Sequence, residues 1–238
     1  MPEEWPWYNI LMKIGVFDSG MGGMTTFREI RELSPNEDVE YYADFINHPY
    51  GNKTDEELDE ITTNVVRNFV NGGAEMIVIA CNTATTKCIR KLREKFPGVI
   101  FVGTEPAVKP ACDDGNKNIL VLVTPVTAGS EQLERLITNN KKEDQNITVV
   151  PCHGLAEAVE TRDEAKIQDA LDKNLHEYVG GDYDAVVLGC THYVLIKDEI
   201  QKMFANAKLY DGNKGVAKRV KAILEEQGWR ARQRMARP

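Results

Sequence analysis

Short apolar runs recur along the chain, each ending in polar or glycine-rich residues and most followed by a helical pattern. Residues 14–17, 39–43, 76–80, 99–102, 119–123, 147–150, 185–188 and 208–210 read as strands. Between and after them, helical spacing covers 22–33, 54–70, 84–95, 127–138, 164–179, 194–204 and 214–226. Thr54-Asp-Glu-Glu57 has the form of a capping box, and Asn71-Gly-Gly73 closes the helix that it opens. The strands are continuous and rich in β-branched residues rather than alternating. That pattern predicts an α/β fold, with mainly parallel sheets flanked by helices on both faces.

In such folds ligands bind at the carboxyl ends of strands. The reactive residues collect there. Asp18-Ser19 follows the first strand, Cys81-Asn82-Thr83 the third, Thr124 the fifth and Cys190-Thr191-His192 the seventh. Two of these places echo each other. Met76-Ile-Val-Ile-Ala-Cys-Asn-Thr83 and Ala185-Val-Val-Leu-Gly-Cys-Thr-His192 are each an apolar strand, a small residue, a cysteine and two hydrogen-bonding residues. A thiol has an ordinary pKa of about 8.5, so modest tuning populates either protonation state near neutral pH. Two such thiols suit removing a proton from one face of a carbon and returning one to the other, the roles exchanging with direction. Asp18 is placed to orient or deprotonate Cys81, and His192 to do the same for Cys190. Ser19, Asn82, Thr83 and Thr191 are placed to hold carboxylates.

Composition narrows the class. The 238 residues fit one large or two small domains, and 42% hydrophobic residues suffice for a real core. No apolar run is long enough to cross a bilayer. The opening MPEEWPWYNILMK is acidic and aromatic rather than signal-like, so residues 1–12 are expected to be an extension before the fold. The stretch 229–238 is basic with little apolar pattern and is expected to fray or to contact another surface. A net charge of −8 argues against a nucleic-acid partner. Five cysteines, an odd number without an export signal, point to a reducing cytoplasm rather than a disulfide framework. The four histidines show no zinc-like spacing with the cysteines, so the sequence supports no metal site. Cys88, Cys112 and Cys152 read as buried structural residues, as does the pair Cys152-His153. Gly20, Gly22 and Gly23 lack nucleotide-loop spacing and read as an anion-binding turn. Asp44 and Asp211 end strands, Asp44 being the better candidate to touch a site.

At these motifs the chain resembles the glutamate racemase family, within the aspartate/glutamate racemase superfamily, from Lys13 to about Ala222. The segments are Asp18-Ser-Gly-Met-Gly-Gly23, Asp44 with Pro49-Tyr-Gly51, Ala80-Cys-Asn-Thr-Ala84, Glu105-Pro-Ala107 and Gly189-Cys-Thr-His-Tyr193. The resemblance implies two pseudo-symmetric domains, 13–105 with 211–238 and 106–210, and an active site in the cleft between them. It implies that glutamate is the small-molecule substrate, that neither pyridoxal phosphate nor a metal is used, and that D-glutamate goes to the bacterial cell wall. A homodimer is implied as well. Cys81 would act on the D-enantiomer and Cys190 on the L-enantiomer. Asp18, Ser19, Tyr50, Gly51, Asn82, Thr83, Thr191 and His192 fall on substrate-binding positions, and Glu160 on that of an acid assisting the second half-site. Three departures stand out: Phe45 replaces a usual Thr, Val194 a usual Pro, and the chain after Asp211 is short. Phe45 and residues 45–48 are therefore expected to alter substrate access or choice. The open alternatives are the same chemistry on aspartate or another amino acid, and a catalytically silent protein that binds small anions.

Overall fold

The structure, a computed structural model, describes residues 12–235, with side chains as far as 228. The extension at residues 1–11 lies outside it, as do residues 236–238. Eight strands form two four-stranded sheets. The first contains β1 (Lys13–Asp18), β2 (Asp38–Ala43), β3 (Met76–Ile79) and β4 (Ile100–Gly103), in the order β2-β1-β3-β4. The second contains β5 (Asn118–Val123), β6 (Asn146–Pro151), β7 (Ala185–Leu188) and β8 (Lys208–Asp211), in the order β6-β5-β7-β8. Every pairing is parallel. The second sheet thus repeats the strand order of the first, and Cys81 and Cys190 follow equivalent strands.

Both faces of each sheet are covered, which is why the strands read as unbroken apolar runs. Met76 and Val78 of β3 point to one face, with Ile30 of α1 (Met24–Leu33) and Val216, Ala217 and Val220 of α11 (Asn213–Met235). Ile77 and Ile79 point to the other, against α2 (Asp55–Asn71) and α3 (Asn82–Lys95). In the second sheet, Ile119, Val121 and Val123 of β5 pack with α4 (Val108–Asp113) and α6 (Glu131–Asn140). Leu120 and Leu122 face α7 (Leu155–Thr161), α8 (Glu164–Leu175), α9 (Thr191–Leu195) and α10 (Lys197–Met203). Thr54 caps α2 as its sequence predicts. Its Oγ1 accepts from Glu57 N–H at 3.2 Å while Glu57 Oε2 accepts from Thr54 N–H at 2.8 Å.

The structure corrects several boundaries. The helix expected at 127–138 is divided by Gly129-Ser130 into α5 (Pro125–Ala128) and α6, because the Ser130 side chain starts a new helix by accepting from Leu133 N–H. The helix expected at 194–204 is α9 and α10, joined at Ile196. Helices α4 and α7, and a 3₁₀ turn at Tyr50–Asn52, were not expected. The final helix runs to Met235, through most of the stretch expected to fray, since Arg, Ala, Gln and Met all favour helix. Among the described residues no helix is long and apolar enough to cross a membrane.

Candidate active site

In the first sheet β1 and β3 are neighbours whose outgoing connections run to opposite sides, β1 to β2 and β3 to β4, so a crevice opens beyond their carboxyl ends. The second sheet does the same at β5 and β7. A cavity of about 180 Å³ is lined from both sides, by Ser19, Tyr50, Gly51, Cys81, Asn82 and Thr83 and by Thr124, Cys190, Thr191 and His192. Strand order accounts for the crevice in each sheet.

Cys81 caps α3. Its Sγ accepts from Ala84 N–H at 3.5 Å and meets Ser19 Oγ at 3.8 Å. Burial pushes the Cys81 thiol well up, and the charge of Asp18 adds to this; the Ala84 and Ser19 contacts oppose it without reversing it. Cys81 is therefore held as a thiol. Cys190 precedes α9, with its Sγ 3.8 Å from His192 Nδ1. His192 Nε2 lies 2.6 Å from Glu160 Oε2, and Glu160 also accepts from Met21 N–H at 3.1 Å. Burial works against a charged His192, but its hydrogen bonds to Cys190 and Glu160 outweigh it and hold the imidazole well above its ordinary range. Burial likewise opposes ionisation of Glu160, yet His192 and the Met21 N–H hold that carboxyl low. The result is an imidazolium–carboxylate pair behind the second thiol.

Asp18 differs from its expected role. Its Oδ2 accepts from Gly23 N–H at 2.6 Å and from Thr191 Oγ1 at 3.1 Å, rather than bonding Cys81. It touches Cys81 through charge alone, and that charge discourages deprotonation. Its Oδ1 is buried without a partner, as is Asn82 Oδ1. Replacing Asp18 with Asn removes the charge and keeps the shape. The pH midpoint for alkylation of Cys81 is expected to move down in Asp18→Asn, read by mass spectrometry of the Cys81 peptide across pH. An unchanged or raised midpoint would contradict this coupling.

Thr83 Oγ1 lies 3.2 Å from Thr124 Oγ1, which lies 3.0 Å from Thr127 Oγ1. Tyr50 donates to Asp44 Oδ2 at 2.8 Å, so Asp44 holds a wall residue from behind. Asp211 only accepts from Asn213 N–H, at 2.9 Å. Phe45 and Ile46 point outward, 60% and 89% exposed, and do not line the cavity. The residue of that loop that does is His48. Gly22 also serves packing. A Cβ on Gly22 would lie 2.6 Å from Thr191 Oγ1 and 2.7 Å from His192 N, so glycine there permits close approach of the two halves. The same rule of strand ends that singled out Cys81 applies to Cys152-His153, which follow β6.

Cys152 and His153 both line the cavity, so the purely structural reading of that pair is incomplete. Burial pushes the Cys152 thiol up to about 12, with the nearby Cys190 adding to it. The fold thus prefers the neutral thiol. Its stabilising contribution is complete below the ordinary thiol range near 8.5 and is lost as pH rises toward about 12, by about 1.4 kcal/mol per pH unit. Urea denaturation between pH 8 and about 11 should therefore show a shallower decline for Cys152→Val than for the parent chain. Equal slopes would contradict it.

The sequence expectation of no metal site rested on spacing between histidines and cysteines, and the fold adds a grouping without cysteine that such spacing does not address. His48, Glu160 and His192 bring their ligand atoms within 4.8 Å of one another.

Comparisons with known proteins agree with this architecture. Residues 29–220 match the Asp/Glu/Hydantoin racemase family. The chain is 38% identical to the glutamate racemase of Bifidobacterium animalis subsp. lactis, over 90% of this chain and 85% of the relative. It is 40% identical to that of Halothermothrix orenii, over 92% and 87%. Escherichia coli glutamate racemase, solved in complex with L-glutamate, superposes with a TM-score of 0.81 at 31% identity, covering 90% of this chain and 83% of that one. The Francisella tularensis enzyme, solved with D-glutamate, gives 0.77 at 26%, covering 91% and 82%. With two like-ordered parallel sheets converging on one cavity, and relatives this similar over most of their length, the chain belongs to the glutamate racemase family.

Proposed function

We propose that this chain interconverts L- and D-glutamate by two-base proton transfer, with Cys81 and Cys190 on opposite sides of the α-carbon, and that it supplies D-glutamate for peptidoglycan. The carrying observation is that both thiols, from equivalent places in two repeated sheets, line one cavity. In the L-to-D direction Cys190 takes the α-proton as thiolate and Cys81, held protonated by burial and Asp18, gives one to the other face. In reverse the roles exchange. His192 and Glu160 manage the proton at Cys190. Ser19, Asn82, Thr83 and Thr191 hold the substrate's polar groups, with Tyr50 and Gly51 forming the wall. Asp18 Oδ1 and Asn82 Oδ1, buried acceptors without partners, suit the substrate ammonium.

The catalytic halves are residues 13–105 with 211–238, and 106–210. Chain pairing into a homodimer and a cytoplasmic location complete the reading. The test is incubation of L-glutamate with pure protein in D₂O without added cofactor. Optical rotation is expected to decay to zero as α-deuterium enters the product. Decay with L-aspartate instead would shift the substrate, and decay with neither would overturn the proposal.

A further inference from the structure

His48 sits in the cavity wall beside the His192–Glu160 pair, with its ring centroid 5.4 Å from that of His192. Both His48 ring nitrogens are shielded from solvent; neither has a hydrogen bond of full geometry among the described residues, and a looser contact with the Ser19 backbone favours the charged ring. Polar atoms so placed are uncommon without a reason. One ligand atom each from His48, Glu160 and His192 lies within 4.8 Å of the others. Around one ion with bonds of about 2.0–2.2 Å, such atoms stand somewhat over 3 Å apart. Closing the set therefore needs the widest of these separations to shorten by no more than about 1.5 Å. Two imidazoles and one carboxylate suit zinc and its late first-row neighbours, and leave a position open toward the cavity.

We propose that His48, Glu160 and His192 form a binding site for a divalent transition metal of the zinc class, and that its occupation reversibly shuts off the Cys190 half of the active site. Binding replaces the proton between His192 Nε2 and Glu160 Oε2 with the metal and releases that proton to solvent. The ion then holds the His192 ring through Nε2, and the ring whose Nδ1 lies 3.8 Å from Cys190 Sγ is committed to the metal. Glu160 is drawn from the Met21 N–H that it now accepts from. Metal binding stands independently of the racemase reading, whereas the inhibition rests on it.

The experiment titrates zinc chloride into the full chain, freed of metal with a chelator, by calorimetry, and repeats it with cobalt chloride by visible absorption. The expected result is one ion per chain, affinity at least tenfold weaker in His48→Ala and in His48→Gln, and cobalt bands without sulfur-to-cobalt charge transfer. Unchanged affinity in both variants, or a strong charge-transfer band, would put the ion on the cysteines and overturn the site. Should the variants not fold, the cobalt spectrum of the parent chain decides. Zinc is further expected to stop racemisation in the parent chain and chelator to restore it. Activity that persists with the site saturated would overturn the inhibition alone. No activity in metal-free protein would instead count against the racemase reading and leave the binding result standing.

Discussion

Cys81→Ser and Cys190→Ser are each expected to lower racemisation in both directions by about 10²–10⁴-fold, the range that a positioned proton-transfer group supplies. Serine preserves nearly all of the shape but does not ionise near neutral pH, so neither variant should lose its fold. On the two-base reading the loss is bidirectional, because each turnover then needs one group to take a proton and the other to give one. A finer outcome separates the two thiols. With Cys81 intact and Cys190 replaced, D-glutamate should still exchange its α-proton with D₂O without inverting; L-glutamate should do so in Cys81→Ser. Enantiomer-resolved chromatography with mass spectrometry reads both. Either single variant racemising near the parent rate in both directions would end the two-base assignment.

Gly22→Ala is expected to reduce kcat/KM by about 100-fold, the scale associated with a misplacement of about 1 Å in an active site. The added methyl would meet Thr191 Oγ1 at 2.6 Å, His192 N at 2.7 Å and Thr191 C at 2.8 Å. Two of these are backbone atoms at the start of α9 and cannot swing aside. Relief must come from moving the first loop or α9, which begins directly after Cys190 and carries His192. The two thiols then lose their common alignment although neither has been touched. Gly98→Ala, whose methyl would meet nothing within 4 Å, serves as control and should behave like the parent chain. Gly22→Ala with activity within twofold of the control would mean that the halves do not rely on this contact.

How much of this was legible in the sequence follows from the range of each interaction. Cys81 and Cys190 were legible because strand, small residue and thiol are consecutive, and because the strand-end rule gives them a place. The capping box at Thr54 was legible for the same reason. Helices α4 and α7 span 6 and 7 residues, too short for a helical period to stand out. Interactions between halves left no local trace: His192 with Glu160 is 32 residues apart, Asp18 with Thr191 is 173. The resemblance supplied Glu160 where pattern did not. His48 follows no strand directly and belongs to no periodic segment, so only the fold reveals its neighbours. Asp18 acts on Cys81 through its charge, and its hydrogen bonds to Gly23 and Thr191 include a partner far along the chain that no local pattern reveals.

The two sulfurs have unlike company: a serine hydroxyl and a carboxylate's charge near one, an imidazolium backed by glutamate near the other. Mirror-image molecules have equal free energy in water, so the equilibrium ratio for their exchange is unity at every pH. Forward and reverse kcat/KM must then coincide across the whole pH range, however dissimilar the surroundings of the two thiols. The lopsided chemistry can surface only as compensating differences in kcat and KM, with the enantiomer that is held more tightly also turned over more slowly.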